Sequence, residues 1–329
     1  MRINYLVNRF YQMKHNYIGK TTFVYTMYLW FDYFVALIFY GASISDYFAY
    51  GFYKLRRRGR NEYITYRRYL EIMRIANDKK DIEICRSKIK FNQYFSDILG
   101  REWFDVADCT FDEFKNFVVS HDCFFVKEIL SFRGIGVRKI NSLTINNVEN
   151  FYKELLSQKD CHFILEEEIK QIDSLKRFHP WSVNTIRIVT LYDTINDEVH
   201  IMNARFRMGN KKNNVDNFHF DGIGANIDIL SGVIDTIGYD AHNKIYVFHP
   251  ETNSQIIGFQ IPQWNECISF IKMAAKRLPT VRYIGWDLVI KQDGTICLIE
   301  ANDNADHDFQ QLHNKGLWRE YKNILKNLK

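Results

Sequence analysis

The order of apolar and polar residues predicts helices in the first quarter of the chain. An almost unbroken apolar run occupies residues 23–41, and apolar residues recur at helical spacing between Tyr63 and Ala76. The run is nearly long enough to span a bilayer, but Asp32 lies near its middle and its aromatic residues are spread along it. We therefore expect a buried or partly interfacial helix within a helical N-terminal region covering residues 1–84.

Helices and strands alternate in the next part of the chain, which we assign to a smaller lobe covering residues 85–176. Thr110 and Glu113 stand at the spacing of a capping box, so a helix should begin after Thr110. The pattern predicts helices over residues 88–99, 110–119 and 147–157, and strands over residues 123–129 and 162–165.

Longer strands dominate the last part, which we assign to a larger lobe covering residues 177–329. The ranges 185–192 and 199–208 alternate as a hairpin through Asn196-Asp197, and residues 210–224 are polar and Gly-rich, as in a loop. A one-residue change in the hairpin turn would reverse which strand arginines face a cleft. The arginines concerned are Arg187, Arg205 and Arg207. Helices are expected at residues 263–277 and 317–328.

A second hairpin carries the strongest chemical signal in the chain. Asp293-Gly294 separates two apolar runs, and a two-residue turn there would pair Gln292 with Thr295, Val289 with Leu298, and Asp287 with Glu300. Like charges that oppose each other across a sheet are destabilising. Asn302 lies two residues beyond Glu300 and so faces the same side. Two carboxylates and an amide oxygen suit Mg²⁺, although a solvated polar rim would show the same residues.

Composition adds few constraints. The net charge of +5 fits an acidic ligand, and the six cysteines include no C-x-x-C pair, as in a reducing cytosol. The basic cluster at residues 54–60 could attract an anionic lipid or a charged glycan, or could be a solvated face between helices. No phosphate loop of the Walker type, dinucleotide fingerprint or nucleic-acid motif is present, so no nucleic-acid partner is expected.

The aspartate, the hairpin and the following Glu300-Ala301-Asn302 resemble the metal-binding end of ATP-grasp enzymes. The segment 179–190, the stretch Asp216-Asn217-Phe218-His219 and the approach Gly285-Trp286-Asp287 are similar to the ATP-grasp group associated with sugar-transfer and polysaccharide-assembly genes. The resemblance covers roughly residues 85–310. It implies an α+β protein with the ATP-grasp fold, in which two α/β lobes clasp ATP, preceded by the helical N-terminal region.

The resemblance also implies roles for individual residues. Mg²⁺ ions that bridge the ATP phosphates would be held by Asp287, Glu300 and Asn302. Lys127, at the end of a strand, and a second lysine, Lys88 with Lys90 as its alternative, would contact the phosphates. The loop 131–136, with Ser131, Arg133, Gly134 and Gly136, would cover them.

The adenine and the transferred phosphate have their own expected contacts. By resemblance, the Glu166 side chain would bind the exocyclic amine, backbone groups of Glu167 and Ile169 would complete the adenine contacts, and Asp173 would face the ribose. Arg187 and Arg205 would hold the γ-phosphate or an acidic substrate, and a guanidinium fork suits both.

The implied activity is that of an ATP- and Mg²⁺-dependent carboxylate–amine ligase with an acyl-phosphate intermediate. The family context implies polysaccharide or glycoconjugate biosynthesis, with a sugar carboxylate such as a uronic acid, or an amino acid, joined to an amine. Phosphoryl transfer to a sugar hydroxyl and a non-catalytic nucleotide-binding module are the alternatives. We expect a cytoplasmic protein, peripheral at the inner membrane face, whose N-terminal region contacts the membrane or glycan assembly enzymes.

Overall fold

The computed structural model describes residues 2–129, 136–158, 162–211, 222–311 and 315–328. Helices make up the N-terminal region, as the sequence predicts. They are α1 (Arg2–Tyr17), α2 (Phe23–Tyr40), α3 (Ile44–Ala49), α4 (Arg57–Arg60), α5 (Tyr66–Ala76), α6 (Ile82–Arg86) and α7 (Lys88–Tyr94), with a 3-10 turn at Phe52–Lys54. The predicted helix over residues 88–99 is therefore shorter than expected.

Local capping sets the bounds of α2 and α3. Thr22 accepts a hydrogen bond from the backbone of Tyr25 at the start of α2, and Gly41 ends that helix in the left-handed region at φ +67. Ser43 and Asp46 form a capping box on α3. The tight turn between them brings α3 back against α1 and α2, where Phe10, Leu29, Tyr33, Tyr47 and Phe48 form an aromatic core.

Among the described residues, α2 is the one helix whose length and composition would let it cross a membrane. Only 28% of its most apolar window is buried in the protein. This exposure does not match the expectation of a buried helix, and the alternative of a partly interfacial helix stays a prediction.

A four-stranded antiparallel sheet forms the smaller lobe. Its strands are β1 (Trp103–Asp105), β2 (Cys123–Glu128), β3 (Val137–Asn141) and β4 (Phe163–Glu167), in the order β1-β4-β2-β3. Helices α8 (Phe111–Ser120) and α9 (Val148–Ser157) pack against it through Phe114, Phe117 and Leu155. The predicted capping box is confirmed, since Thr110 accepts from the Glu113 backbone and Glu113 accepts from the Thr110 backbone.

A seven-stranded antiparallel sheet forms the larger lobe, in the order β11-β10-β5-β6-β7-β8-β9. Its strands are β5 (Thr185–Asp193), β6 (Glu198–Met208), β7 (Ile223–Asn226), β8 (Gly238–Tyr239), β9 (Ile245–Tyr246), β10 (Tyr283–Ile290) and β11 (Ile296–Asn302). The accompanying helices are α10 (Asp173–Lys176), α11 (Trp264–Lys276), α12 (His307–Gln311) and α13 (Trp318–Asn327). The predicted hairpin through Asn196-Asp197 is confirmed as β5–β6.

The two faces of the large sheet differ in chemistry. Ile186, Ile188, Phe206, Trp286 and Leu288 point to one face and form the main core together with α11. The opposite face carries a row of charged residues that crosses four adjacent strands, from Glu300 on β11 through Asp287 and Arg187 to Arg205 on β6. Helices α5 and α13 pack against another part of this face.

Helix α7 packs with the large sheet although it precedes the small one in sequence. Phe91, Phe95 and Leu99 belong to the main core, and the Phe95 ring lies edge-on to Trp286 at 5.7 Å between centroids. The predicted range 85–176 for the smaller lobe therefore includes a segment whose apolar side chains are buried in the larger one. This arrangement fixes α7 between the two sheets.

Candidate active site

The β10–β11 hairpin places Asp287 opposite Glu300 and Gly285 opposite Asn302, as the sequence predicts. The rest of the predicted register is wrong. The Lys291 backbone donates to the Thr295 carbonyl at 2.8 Å, so the loop has three residues with Gly294 left-handed at φ +85. Its strands pair Leu288 with Leu298 and Val289 with Cys297, not Val289 with Leu298.

A β-bulge restores the functional pairing. The register shifts between Asp287 and Leu288, because Ile299 is an extra residue on β11. Compared with the predicted two-residue turn, the three-residue turn shifts each strand pair by one residue. The bulge at Ile299 reverses this shift just before Glu300. Asp287 and Glu300 therefore face each other for a reason that differs from the predicted two-residue turn.

Two arginines neutralise Asp287. Arg187 grips its carboxylate with two nitrogens, through Nε on Oδ1 and through Nη2 on Oδ2 at 2.8 Å. Arg207 donates to Oδ2 from the other side at 2.8 Å. All three residues are buried. Although burial alone would raise it, the pKa of Asp287 is held well below its usual range by the two guanidinium groups.

Glu300 and Asn302 lie at the exposed edge of the same face. The Glu300 side chain is 53% exposed, and its Oε1 accepts from Asn302 Nδ2 at 3.1 Å and lies 3.8 Å from Arg187 Nη2. Partial burial and the Asp287 carboxylate raise the pKa of Glu300. Two opposed carboxylates and an amide oxygen that meet at a solvent edge form a donor set that fits Mg²⁺.

Gly285 makes room for this arrangement. A β-carbon at this position would lie 2.7 Å from the Ala305 β-carbon and 3.3 Å from Arg187 Cδ. The absent side chain lets Arg187, on the neighbouring strand, extend across β10 to Asp287. The neighbouring residue Trp286 points the other way, into the core, where its indole donates to Thr190 at 2.9 Å.

All three strand arginines lie on the charged face, but they have different partners. Arg205 pairs with Arg187 across β5 and β6 and is fully buried. It donates to the Gln310 carbonyl at 2.6 Å and to the Tyr239 hydroxyl. The second arginine on Asp287 is Arg207, which the sequence left as an alternative. The structure thus gives Arg205 a packing environment and gives Arg207 the contact expected of a site residue.

The smaller lobe contributes a buried ion-pair cluster. Lys127 Nζ lies 2.6 Å from Glu166 Oε2, and Arg101 Nε lies 3.1 Å from the same oxygen. Burial opposes ionisation of Glu166, but the two cations outweigh it and lower the pKa to about 2. The structure therefore brings Lys127 and Glu166 together as partners of each other. The expected contact of Glu166 with an adenine amine stays a prediction.

Lys88 extends from the first turn of α7 to the end of β2. Its Nζ donates to the carbonyl oxygens of Glu128 and Ile129 at 3.0 and 3.1 Å. Burial and the nearby Lys127 lower the pKa of Lys88, while Glu300 and Glu166 act in the opposite direction. Lysines from two elements and the carboxylates of both sheets thus share one electrostatic neighbourhood.

The remaining predicted contacts are distributed around this neighbourhood. Ser131, Arg133 and Gly134 lie outside the described residues, and Gly136 stands just before β3 at φ +75. Glu167 ends β4 and pairs with Lys291 at 2.7 Å. Ile169 is half-buried in the connection to α10, and Asp173 is exposed at the start of that helix. The hinge segment runs beside the turn of β10–β11, where the Gln292 backbone donates to the Lys170 carbonyl at 2.8 Å.

Sequence reasoning missed Arg101 and Lys291. Arg101 is buried and donates to the carbonyls of Leu298 and Ile299, next to the bulge, as well as to Glu166. Arg101 therefore connects the β10–β11 hairpin with the small sheet. No motif marks Arg101, whereas the position of Lys291 immediately before the turn was a weak signal.

Comparison with known proteins shows which family the chain belongs to. Residues 123–326, more than half of the chain, match the family described as sugar-transfer associated ATP-grasp. The chain belongs to this family. A comparison with curated proteins gave no match.

Several solved structures are similar to this ATP-grasp protein. They include the ATP-grasp ligase PsnB complexed with minimal precursor, at 13% identity and a TM-score of 0.45, where the match covers 77% of this chain and 64% of PsnB. D-alanyl-alanine synthetase A from Vibrio cholerae O1 biovar eltor matches at 12% identity and a TM-score of 0.44, over 74% of this chain and 65% of that one. D-alanine–D-alanine ligase from Bacillus anthracis matches at 13% identity and a TM-score of 0.44, over 79% and 73% of the two chains. The aligned part is less than two thirds of PsnB and of the Vibrio synthetase.

His179 and Asn184, in the segment 179–190 that resembles the family, form hydrogen bonds that hold the chain before β5 in place. Asn184 Nδ2 donates to Gln171 Oε1 and to the carbonyls of Leu175 and His179 at 3.1–3.2 Å. His179 is fully buried and bonds to Ser182 at 2.8 Å. These contacts connect the start of β5 to α10 and to the segment before it.

Proposed function

We propose that this ATP-grasp protein is an ATP- and Mg²⁺-dependent ligase that activates a carboxylate as an acyl-phosphate and transfers the acyl group to an amine. One observation carries the proposal. Asp287, Glu300 and Asn302 lie on the two neighbouring strands β10 and β11, with Arg187 and Arg207 bound to Asp287 from the other side. Lys88 and Lys127 approach from the side of the small sheet. This set of charges suits a nucleoside triphosphate with its metal.

The four charged groups closest to the proposed metal site balance one another before any ligand binds. Asp287 and Glu300 contribute two negative charges, and Arg187 and Arg207 contribute two positive charges. Phosphate oxygens would compete with Asp287 for the guanidinium groups, because both offer the paired oxygens that an arginine fork prefers. Release of Asp287 from the arginines would free its carboxylate to act as a metal ligand together with Glu300 and Asn302.

Magnesium bound by these three residues would neutralise charge on the β- and γ-phosphates and orient them for in-line attack. Arg187 and Arg207 would hold the equatorial oxygens of the transferred phosphoryl group. Lys127 and Lys88 would hold the phosphates of the leaving ADP from the opposite side. Glu166, ionised and buried, would fix the position of Lys127.

The reaction then consists of two displacements. A carboxylate oxygen of the substrate attacks the γ-phosphorus, a new P–O bond forms, and the bond to ADP breaks. An amine next attacks the acyl carbon, the C–O bond to phosphate breaks, and inorganic phosphate and one proton leave. The protein mainly positions the reactants and neutralises charge, which is the usual role of the protein in phosphoryl transfer.

We further propose that the substrate is an acidic sugar, such as a uronic acid, or an amino acid, in polysaccharide or glycoconjugate biosynthesis. The description of the family as sugar-transfer associated supports this, as do the two arginines, which suit a carboxylate. A cytoplasmic location fits the use of ATP and the free thiols of Cys85, Cys109, Cys123, Cys267 and Cys297.

The test is a screen of acids and amines with ADP release as the readout, followed by trapping with hydroxylamine. An active acid should give a hydroxamate when hydroxylamine replaces the amine, because an acyl-phosphate is the species that reacts. ADP release with a sugar and no hydroxamate would favour the alternative of phosphoryl transfer to a hydroxyl. ATP binding without turnover on any acid would favour a non-catalytic nucleotide-binding module.

A further inference from the structure

Helix α2 exposes a wide apolar face. Its buried positions, Thr26, Leu29, Tyr33, Ala36 and Tyr40, form one narrow stripe against α1 and α3. Most of the remaining side chains of α2 are exposed, with Phe23 at 79%, Phe31 at 70% and Phe39 at 71%. Further exposed apolar side chains on this surface are Val24, Tyr25, Met27, Tyr28, Phe34, Leu37 and Ile38.

This surface is large for a protein that stays in water. Side chains of this size have on the order of 150–250 Å² each, so ten of them at these exposures present roughly 1,000 Å². Monomeric soluble proteins rarely expose contiguous apolar patches above a few hundred Å². We call these ten residues the α2 face, and a face of this size is expected to be covered by something.

Asp32 does not disturb the α2 face. Its carboxylate turns toward the protein, where Arg60 Nη2 donates to it at 2.7 and 2.9 Å and the Tyr47 hydroxyl donates at 2.8 Å. The one charged side chain in α2 is thus paired on the buried side. Crossing a bilayer would strip the helix from this pair and from the aromatic core, whereas lying flat on a bilayer keeps both.

Positive charge is concentrated in the same region. Residues 1–76 contain twelve Lys and Arg but four Asp and Glu, a net charge of +8, so the remaining residues of this +5 chain carry −3. Arg67 donates to the carbonyls of Ile38 and Phe39 at the C-terminal end of α2, and Lys14 bonds to Thr21 near its beginning. Arg57 and Arg58 are exposed on α4. Cations therefore lie at both ends of the apolar helix.

We propose that the α2 face docks on an anionic lipid surface, with α2 parallel to the membrane plane and its apolar side chains inserted at the boundary between headgroups and acyl chains. Apolar burial supplies most of the affinity, and the surrounding Lys and Arg select negatively charged lipid. A second copy of the chain fits this face less well, because it would bring another +8 region into contact with the first. The proposal concerns a surface formed by the N-terminal helices and is independent of the proposed reaction.

Vesicle flotation of the full chain tests the proposal. The protein should float with vesicles that contain an anionic phospholipid, float weakly with phosphatidylcholine alone, and dissociate as salt rises. The triple variant Phe31→Gln, Phe34→Gln, Ile38→Gln should bind at least ~10-fold more weakly, since it removes three apolar side chains from the surface that would insert into the bilayer. The matched control is Val119→Gln, Leu143→Gln, Leu156→Gln, which removes three exposed apolar side chains from the smaller lobe and should bind as the parent protein does.

A charge variant separates the two contributions. Arg57→Gln with Arg58→Gln should weaken binding to anionic vesicles ~10–30-fold and leave the weak binding to neutral vesicles unchanged, since it removes two cations that attract anionic headgroups. The matched control is Lys322→Gln with Lys326→Gln on α13, where both lysines are exposed. ATP turnover in solution should stay unchanged in all four variants, which keeps this test distinct from that of the proposed reaction.

Three outcomes would overturn the proposal. The first is a monomer that ignores anionic vesicles at low salt. The second is a stable dimer in solution that the triple variant dissociates, because the α2 face would then be an interface between copies. The third is protein that only detergent releases from the bilayer, which would mean that α2 spans the membrane.

Discussion

Replacement of Glu300 by Gln should lower activity without lowering stability, because the wild-type carboxylate lies opposite the Asp287 carboxylate in the sheet and is repelled by it. Two carboxylates about 5 Å apart repel by roughly 1–3 kcal/mol over the range of effective dielectric constants between water and a protein surface. The Glu300 side chain is 53% exposed, so the lower end applies. The variant also loses the 3.8 Å contact with Arg187, which is worth less than ~1 kcal/mol, and a Gln oxygen can still accept from Asn302.

The expected net effect on folding is therefore between zero and about +1 kcal/mol, or a melting temperature that is unchanged or ~1–3 °C higher. Mg²⁺-dependent ADP release should fall at least ~100-fold, since a site that stabilises charge in the transition state loses one of its charged groups. Thermal denaturation and a coupled ADP assay, run at several Mg²⁺ concentrations, measure the two effects on the same preparation. The matched control is Glu198→Gln, which changes an exposed glutamate at the far end of β6 and should alter neither quantity.

Two results would refute the reasoning in different ways. If Glu300→Gln releases ADP within about threefold of the wild-type rate, Glu300 is not a metal ligand. If the melting temperature instead falls by several degrees, Glu300 stabilises the fold, and the repulsion from Asp287 is not the dominant interaction at this position.

Three other substitutions test other parts of the structure. Lys127→Ala should weaken ATP binding ~10–100-fold and adenosine binding little, because the lysine is assigned to phosphate. The control is Lys139→Ala on β3. Equal losses of affinity for both ligands in calorimetry would mean that Lys127 has a structural role. Gly285→Ala should lower the free energy of unfolding by ~1–3 kcal/mol and reduce ADP release, since the new β-carbon would lie 2.7 Å from the Ala305 β-carbon and crowd Arg187. An unchanged free energy of unfolding would contradict this packing. Burial lowers the pKa of His307, but its hydrogen bond to Asp46 and the neighbouring Asp308 and Asp306 outweigh burial, so the net pKa is raised. The interaction of protonated His307 with these carboxylates should stabilise the fold fully below about pH 6.5, and this stabilisation should disappear as pH rises through the raised pKa. Denaturant unfolding between about pH 6 and 9 should show this decline in the wild type and a smaller one in His307→Gln, and equal slopes would mean that the pair contributes nothing.

Local sequence determined the helix starts and turns that depend only on interactions between residues close together in the chain. Thr110 and Glu113 specified the start of α8, since a capping box needs only backbone and side chains one turn apart. Asn196 and Asp197 specified the β5–β6 turn, where Asp197 adopts φ +52. The pairing of Asp287 with Glu300 was also predicted, although by a register that two compensating irregularities replace.

The assignment of the arginines needed the tertiary structure. The three strand arginines lie on one face of the paired strands β5 and β6, although each has different hydrogen-bond partners. They are Arg187, Arg205 and Arg207. Their different environments come from α12 and β8, which place the Gln310 carbonyl and the Tyr239 ring beside Arg205. Nothing in the sequence around β6 specifies contacts with residues that lie 34 and 105 positions further along the chain.

Sequence by itself thus determined the family, the hairpin that pairs Asp287 with Glu300, and the presence of an apolar helix near the N-terminus. Tertiary structure decided that Arg101 connects the bulge to Glu166, that Arg207 joins Arg187 on Asp287, and that Asp32 turns inward to Arg60. The physical reason is the range of the interactions. Turns, caps and periodicity depend on neighbours within a few residues, whereas a buried charge needs partners, and the folded chain supplies them from distant segments.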